Sequence, residues 1–181
     1  LRANKDLAFM SKALGLPTDE IDQWCNKLEM GCVFLRHPES KHFNAVNLKS
    51  GEHTGFVTSA SFLCWYAGID DKSMLDFLKS TLLDTLYPIP SLDYKSKEFD
   101  GLRYWRGPTW PILNALIGLG LYDMGYGKEA EIIRSKTREL ISQHGFAEYF
   151  NPMTGAPCGG KAFSWTAAVW LAWASPSVGV Q

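Results

Sequence analysis

The chain has 181 residues, 46% hydrophobic and 20% charged, with a formal net charge of -1. Those totals describe one globular domain with room for a core, and they exclude a disordered chain. The even charge balance leaves no electrostatic footprint for nucleic acid or an acidic membrane, and Lys, Asp or Arg interrupts every apolar run before it reaches spanning length.

Ala3, Leu7, Met10 and Leu14 fall at helical spacing over 1–14, and Gly15 closes the run. The opening is amphipathic, with Arg2, Lys5 and Lys12, so it is no signal peptide, and the start at Leu1 without Met suggests a fragment. Thr18 is placed to cap a second helix whose apolar face carries Ile21, Trp24, Cys25 and Leu28. Val33-Phe34-Leu35 and Phe43–Leu48 read as two short strands about a turn at His37–Ser40, a small β-hairpin inserted between helices. His37, His42 and His53 are dispersed there and read as surface groups, so no metal site is expected. Thr58–Tyr66 is a compact apolar helix closed by Gly68. Asp70 or Asp71 then caps a helix with Met74, Leu75, Leu78 and Leu82 on one face.

Tyr87–Asp100 is a long loop with prolines at 88 and 90, a type of segment that tends to be functional. Pro111–Met124 is apolar on nearly every side and must be buried all round. Lys128–Gln143 places Ala130, Ile133, Leu140 and Ile141 on one face, with Glu129, Arg134, Lys136, Arg138 and Glu139 on a wet one. Phe163–Ala174 is again apolar all round. This alternation of inner and outer helices is what two concentric layers of paired helices require. About seven helices fit, in an all-α domain over 1–174 with a loose tail at 175–181. Cys25, Cys32, Cys64 and Cys158 form no C-x-x-C pair, which argues against zinc and against a disulfide framework. Reduced thiols, and the lack of any Asn-x-Ser/Thr acceptor, point to a cytoplasmic setting.

Two loops lead into the inner helices. One is Arg103-Tyr104-Trp105-Arg106-Gly107-Pro108-Thr109-Trp110-Pro111. The other is Gly145-Phe146-Ala147-Glu148-Tyr149-Phe150-Asn151-Pro152, followed by Thr154-Gly155 and Gly159-Gly160. In a double layer of helices such loops gather at one end of the central funnel, so both sets of side chains can face one cavity. A carboxylate between aromatic rings suits a sugar, whose axial C–H face is apolar while its rim is polar. Glu148 is the candidate catalytic group. Tyr104, Trp105, Arg106, Trp110, Tyr149, Phe150 and Trp165 are the candidate substrate-binding residues, with Arg106 able to hold a hydroxyl or a carboxylate. No cofactor is implied. Asp93 and Asp100 read as turn residues.

These motifs, with Phe163-Ser164-Trp165-Thr166-Ala167-Ala168 following in order, resemble the C-terminal half of glycoside hydrolase family 63, in its mannosylglycerate, glucosylglycerate and α-glucosidase groups. The likeness covers most of the chain and is thin before Gly55. It implies part of an (α/α) toroid of six helix pairs and an inverting α-glycosidase acting on a small carbohydrate. It also implies that Glu148 is the general base. The general acid in that family is an Asp on an earlier loop, which would precede Leu1. A base without its acid typically forfeits two to four decades of rate, roughly, so the isolated chain is expected to be inactive until joined to an N-terminal half of the same domain. Two other readings fit the residues: a non-catalytic carbohydrate-binding or regulatory module, and a helical-repeat scaffold for protein partners.

Overall fold

The computed structural model describes residues 1–178 and divides the chain into two compact units, Leu1–Gly55 and Phe56–Gln181, where the sequence reading has one domain over 1–174. In the first unit, α1 (Arg2–Ala13) packs on α2 (Asp19–Val33). Ala8 and Ser11 are the buried residues of α1, while the expected face is open: Leu7, Met10 and Leu14 are all exposed. The small residues at 8 and 11 are thus the ones turned inward, with the longer apolar side chains on the outside.

The hairpin expected at 33–48 is not a ladder. Val33 ends α2, and the chain doubles back twice through single antiparallel bridges, Arg36 with Phe43 and Val46 with His53. Local polar turns explain this. The Asn47 side chain accepts from Lys49 N–H, and Gly51 N–H closes on the Asn47 carbonyl, so the run 43–48 bends where a strand would continue.

The second unit is built on helix pairs. Ser59–Cys64 is a 3-10 helix, not an α-helix, opened by a capping box between Thr58 and Ser61. Helix α3 (Lys72–Asp84) is capped by Asp71, whose carboxylate accepts from Met74 N–H at 3.1 Å. Helices α4 (Pro111–Asp123) and α5 (Gly127–His144) form an antiparallel pair, and α6 (Ser164–Val169) widens into a π-helix over Trp170–Ala174. Pro at the first position of α4 costs no hydrogen bond there.

α4 is the buried helix its composition predicts, with Leu119, Tyr122 and the terminal Asp123 exposed. Gly120 lets the backbone of Trp65 and Tyr66 approach so closely that a Cβ would stand 2.2 Å from Tyr66 N. α5 buries Ala130, Ile133, Leu140 and Ile141 as its spacing requires. It also buries Arg134, which was expected on the wet face. The Arg134 guanidinium donates to the carbonyls of Trp173, Ser175 and Val178, replacing water with the acceptors left over at a helix end. The segment 175–178, expected to be loose, is held by that clamp; residues 179–181 lie outside the described residues. The last helix is not buried all round, since Trp165 and Leu171 are exposed. Among the described residues no helix is long and apolar enough to cross a membrane.

Candidate active site

The two loops singled out by their sequence meet. Thr109 N–H donates to the Phe150 carbonyl at 2.8 Å and Phe150 N–H returns the bond at 3.0 Å, a reciprocal pair that ties the Trp105 loop to the Glu148 loop. The proline-bearing loop underlies both. Ser91 N–H donates to the Pro108 carbonyl, the Ser91 hydroxyl accepts from Gly107 N–H, and Tyr87 N–H donates to the Pro152 carbonyl. Tyr87, Ile89, Ser91 and Leu92 are buried, so the first part of this long loop, 87–92, is framework. It is anchored by Asn114, fully buried in α4, which accepts from Ile89 N–H at 2.9 Å and donates to the Thr137 hydroxyl.

On that framework, Arg103–Arg106 form a turn closed by Arg106 N–H on the Arg103 carbonyl at 2.7 Å. Tyr104 occupies the left-handed region at φ 33°, which costs a non-glycine residue about 1–3 kcal/mol. Its carbonyl accepts from Trp110 Nε1 at 3.1 Å. Trp105 lies flat on Trp110, centroids 4.0 Å apart and planes 3° from parallel, and Trp110 stacks in turn on Tyr149 at 5.0 Å. Tyr104 stands edge-on to all three rings, at 5.7, 5.1 and 5.4 Å. Trp110 is buried in the middle of this stack, while Trp105 is 45% exposed. Burial pushes the Tyr149 phenol up from its ordinary range, with lesser contributions from Cys158, Glu148 and Tyr104, so it stays a protonated donor at neutral pH.

Glu148 sits half-buried where this stack meets the second loop. Its Oε1 accepts from the Tyr104 hydroxyl at 3.4 Å, and its Oε2 from Gly160 N–H at 3.2 Å. Its own N–H donates to the Gly160 carbonyl at 2.9 Å. The short antiparallel strands β1 (Tyr149–Phe150) and β2 (Pro157–Cys158) fold the second loop back so that Gly159-Gly160 pass beneath the carboxylate. The Thr166 hydroxyl ties α6 to the same loop through the Ala147 carbonyl at 2.6 Å.

The structure therefore brings Tyr104, Trp105, Trp110, Tyr149 and Glu148 together. Phe150 is a correction: it is fully buried against Tyr87, Leu140 and Ala147 and has no face to offer a sugar. In a strand its side chain points opposite to that of Tyr149. Trp165 is exposed and packs edge-on to Phe163 at 5.6 Å, outside the ring stack. Arg106 shares the Tyr104 turn, and its Nε is buried with no hydrogen-bond partner among the described residues. Asp93 and Asp100 accept from the N–H groups of Lys95 and Leu102, as turn residues do. Among the described residues no three His, Cys, Asp or Glu side chains cluster as metal ligands. The Gly159-Gly160 seat had no role in the sequence reading; the glycine pair was visible there, but not what it lies against.

A carboxylate held beside a wall of stacked rings makes the candidate site, and the matching family model covers residues 1–166: the mannosylglycerate hydrolase MGH1-like glycoside hydrolase domain. The chain belongs to that family. It is 36% identical over 178 residues to mannosylglycerate hydrolase MGH1 of Selaginella moellendorffii, covering 95% of this chain and 36% of that protein. It is 40% identical over 85 residues to the glucosylglycerate hydrolase of Mycolicibacterium hassiacum, covering 47% of this chain and 19% of that one. Among solved structures, a family 63 mannosylglycerate hydrolase of Thermus thermophilus in complex with glucose superposes with a TM-score of 0.88 at 33% identity. That match covers 94% of this chain and 44% of the other. The chain thus spans less than half the length of these relatives, and its fold is part of the family's (α/α) toroid.

Proposed function

We propose that this chain carries the general base of an inverting α-glycosidase that cleaves a small mannoside or glucoside of the glycosylglycerate type. The observation that carries the reading is the Tyr104 hydroxyl on Glu148 Oε1, a carboxylate oxygen at the foot of an aromatic wall. In the reaction, Glu148 takes a proton from water as the water oxygen bonds to the anomeric carbon from one face. The glycosidic C–O bond breaks on the other face, and its oxygen receives a proton from a carboxylic acid roughly 6.5–9.5 Å away. That acid is assigned to a part of the protein other than the described residues; the family resemblance puts an Asp upstream of Leu1, in the rest of the same domain.

Trp105 is the platform on which the pyranose stacks, stiffened from behind by Trp110 and Tyr149. Arg106 addresses its hydroxyls or an aglycone carboxylate, and Trp165 offers a second exposed ring apart from that stack. The substrate class is supported by relatives named mannosylglycerate hydrolase and glucosylglycerate hydrolase. The four free cysteines are consistent with a cytoplasmic enzyme.

The test is made on the protein expressed together with any coding sequence upstream of Leu1. Glu148→Gln keeps sugar binding and lowers turnover of mannosylglycerate or glucosylglycerate by about two to four decades. In Glu148→Ala, azide restores turnover, because this anion attacks the anomeric carbon without surrendering a proton and yields a glycosyl azide of inverted configuration. Full activity of either variant without azide would refute the assignment.

A further inference from the structure

Glu148 ends in a torsion that is intrinsically broad, so its carboxylate plane is free to rotate unless something holds it. Two donors hold it here, one on each oxygen: the Tyr104 hydroxyl and the Gly160 amide. The amide is fixed by the backbone pairing of Glu148 with Gly160. The hydroxyl is fixed by an unusual arrangement. Tyr104 sits at φ 33°, a conformation glycine adopts without penalty, yet a bulky phenol occupies it. Its backbone is pinned by Trp110 Nε1, and its ring is wedged edge-on between Trp105, Trp110 and Tyr149.

A ring wedged this way but 48% exposed is not there to fill the core. Its polar end reaches the Glu148 carboxylate. We propose that Tyr104 is a positioning residue, which acts through Glu148 by locking the plane of the carboxylate so that the second lone pair of Oε1 stays available to a water. At 3.4 Å the bond is long, as hydrogen bonds of open sites commonly are before substrate excludes solvent. The inference rests on the reading of Glu148 as general base.

The experiment is a two-residue cycle, Tyr104→Phe alone and on Glu148→Ala, in the protein expressed with any coding sequence upstream of Leu1. The substrates are mannosylglycerate and glucosylglycerate. Tyr104→Phe removes one oxygen and keeps the ring contacts. It is expected to lower kcat about tenfold, the worth of a hydrogen bond to a charged group, with KM changed less than about twofold. In the azide-rescued Glu148→Ala background the same change is expected to be silent within about twofold, since no carboxylate remains to be oriented. An equal loss in both backgrounds would make the hydroxyl a substrate contact and overturn the proposal. So would an unchanged kcat, or a change confined to KM. Full activity of Glu148→Ala without azide would instead sink the general-base reading, a separate failure. Absence of turnover in the wild type would remove both.

Discussion

Replacing Gly159 by Ala tests whether the carboxylate seat is built by the backbone. Gly159 has φ +70°, and a Cβ added there would stand 2.5 Å from Glu148 Oε2, 2.8 Å from Glu148 Cβ and 2.8 Å from Tyr149 Cε1. The backbone conformation alone costs an alanine about 1–2 kcal/mol. Relieving contacts this short requires the Glu148 side chain to move by about half an ångström or more, and overpacking of this kind costs about 1–3 kcal/mol further. Gly125 is the control: its φ is +84°, and an added Cβ meets nothing within 4 Å. Gly125→Ala therefore carries the backbone term without the clash. At about 2–4 °C per kcal/mol for a chain of this size, thermal unfolding should drop by about 2–8 °C in Gly125→Ala and by about 4–20 °C in Gly159→Ala. Activity separates them further. A misplacement approaching 1 Å in a catalytic group costs about a hundredfold in kcat, expected for Gly159→Ala and not for Gly125→Ala. Equal losses of stability and of kcat in the two variants would refute the seat.

Trp105→Ala should leave stability within about 1 kcal/mol, because the ring is half in solvent, while raising KM about tenfold. Trp110→Ala, by contrast, should cost about 3–5 kcal/mol of stability. Thermal unfolding and substrate titration check the pair, and retained affinity in Trp105→Ala would deny it the platform. Burial pushes the Cys64 thiol up from 9.0 to about 12. The folded chain therefore holds that proton at pH values where the unfolded chain has released it, and stability present below pH 9 should fall as pH rises from 9 toward 12. Cys64→Ala should flatten that slope in thermal melts recorded across the interval.

Much of this was legible in the residue order. Helices α4 and α5 were readable because burial imposes a period on the sequence, all-round apolar in one and single-faced in the other. A cap at Asp70 or Asp71 and the turns at Asp93 and Asp100 were readable because short polar side chains act on their own neighbours, and the structure selects Asp71. The misreadings arose where a neighbour distant in sequence decided the outcome. Arg134 looked wet because nothing local announces that the carbonyls of Trp173, Ser175 and Val178 will need a donor. Phe150 looked like a ligand-facing ring because it adjoins Glu148 and Tyr149. The pairing of Phe150 with Thr109 turns Tyr149 toward the ring stack and sends Phe150 into the core.

Sequence alone determined the chemistry on offer: one carboxylate, a set of indole and phenol rings, and two loops each leading into an apolar helix. Those are local properties, carried by residue type and by a periodicity of a few positions. The tertiary structure alone decided which rings stack, that Tyr104 reaches Glu148 across 44 positions, and that Gly159 must lack a side chain for the carboxylate to fit. Each of these is a contact between segments whose separation in the chain carries no signal, so only close packing of the loops on α4 and α5 could select it.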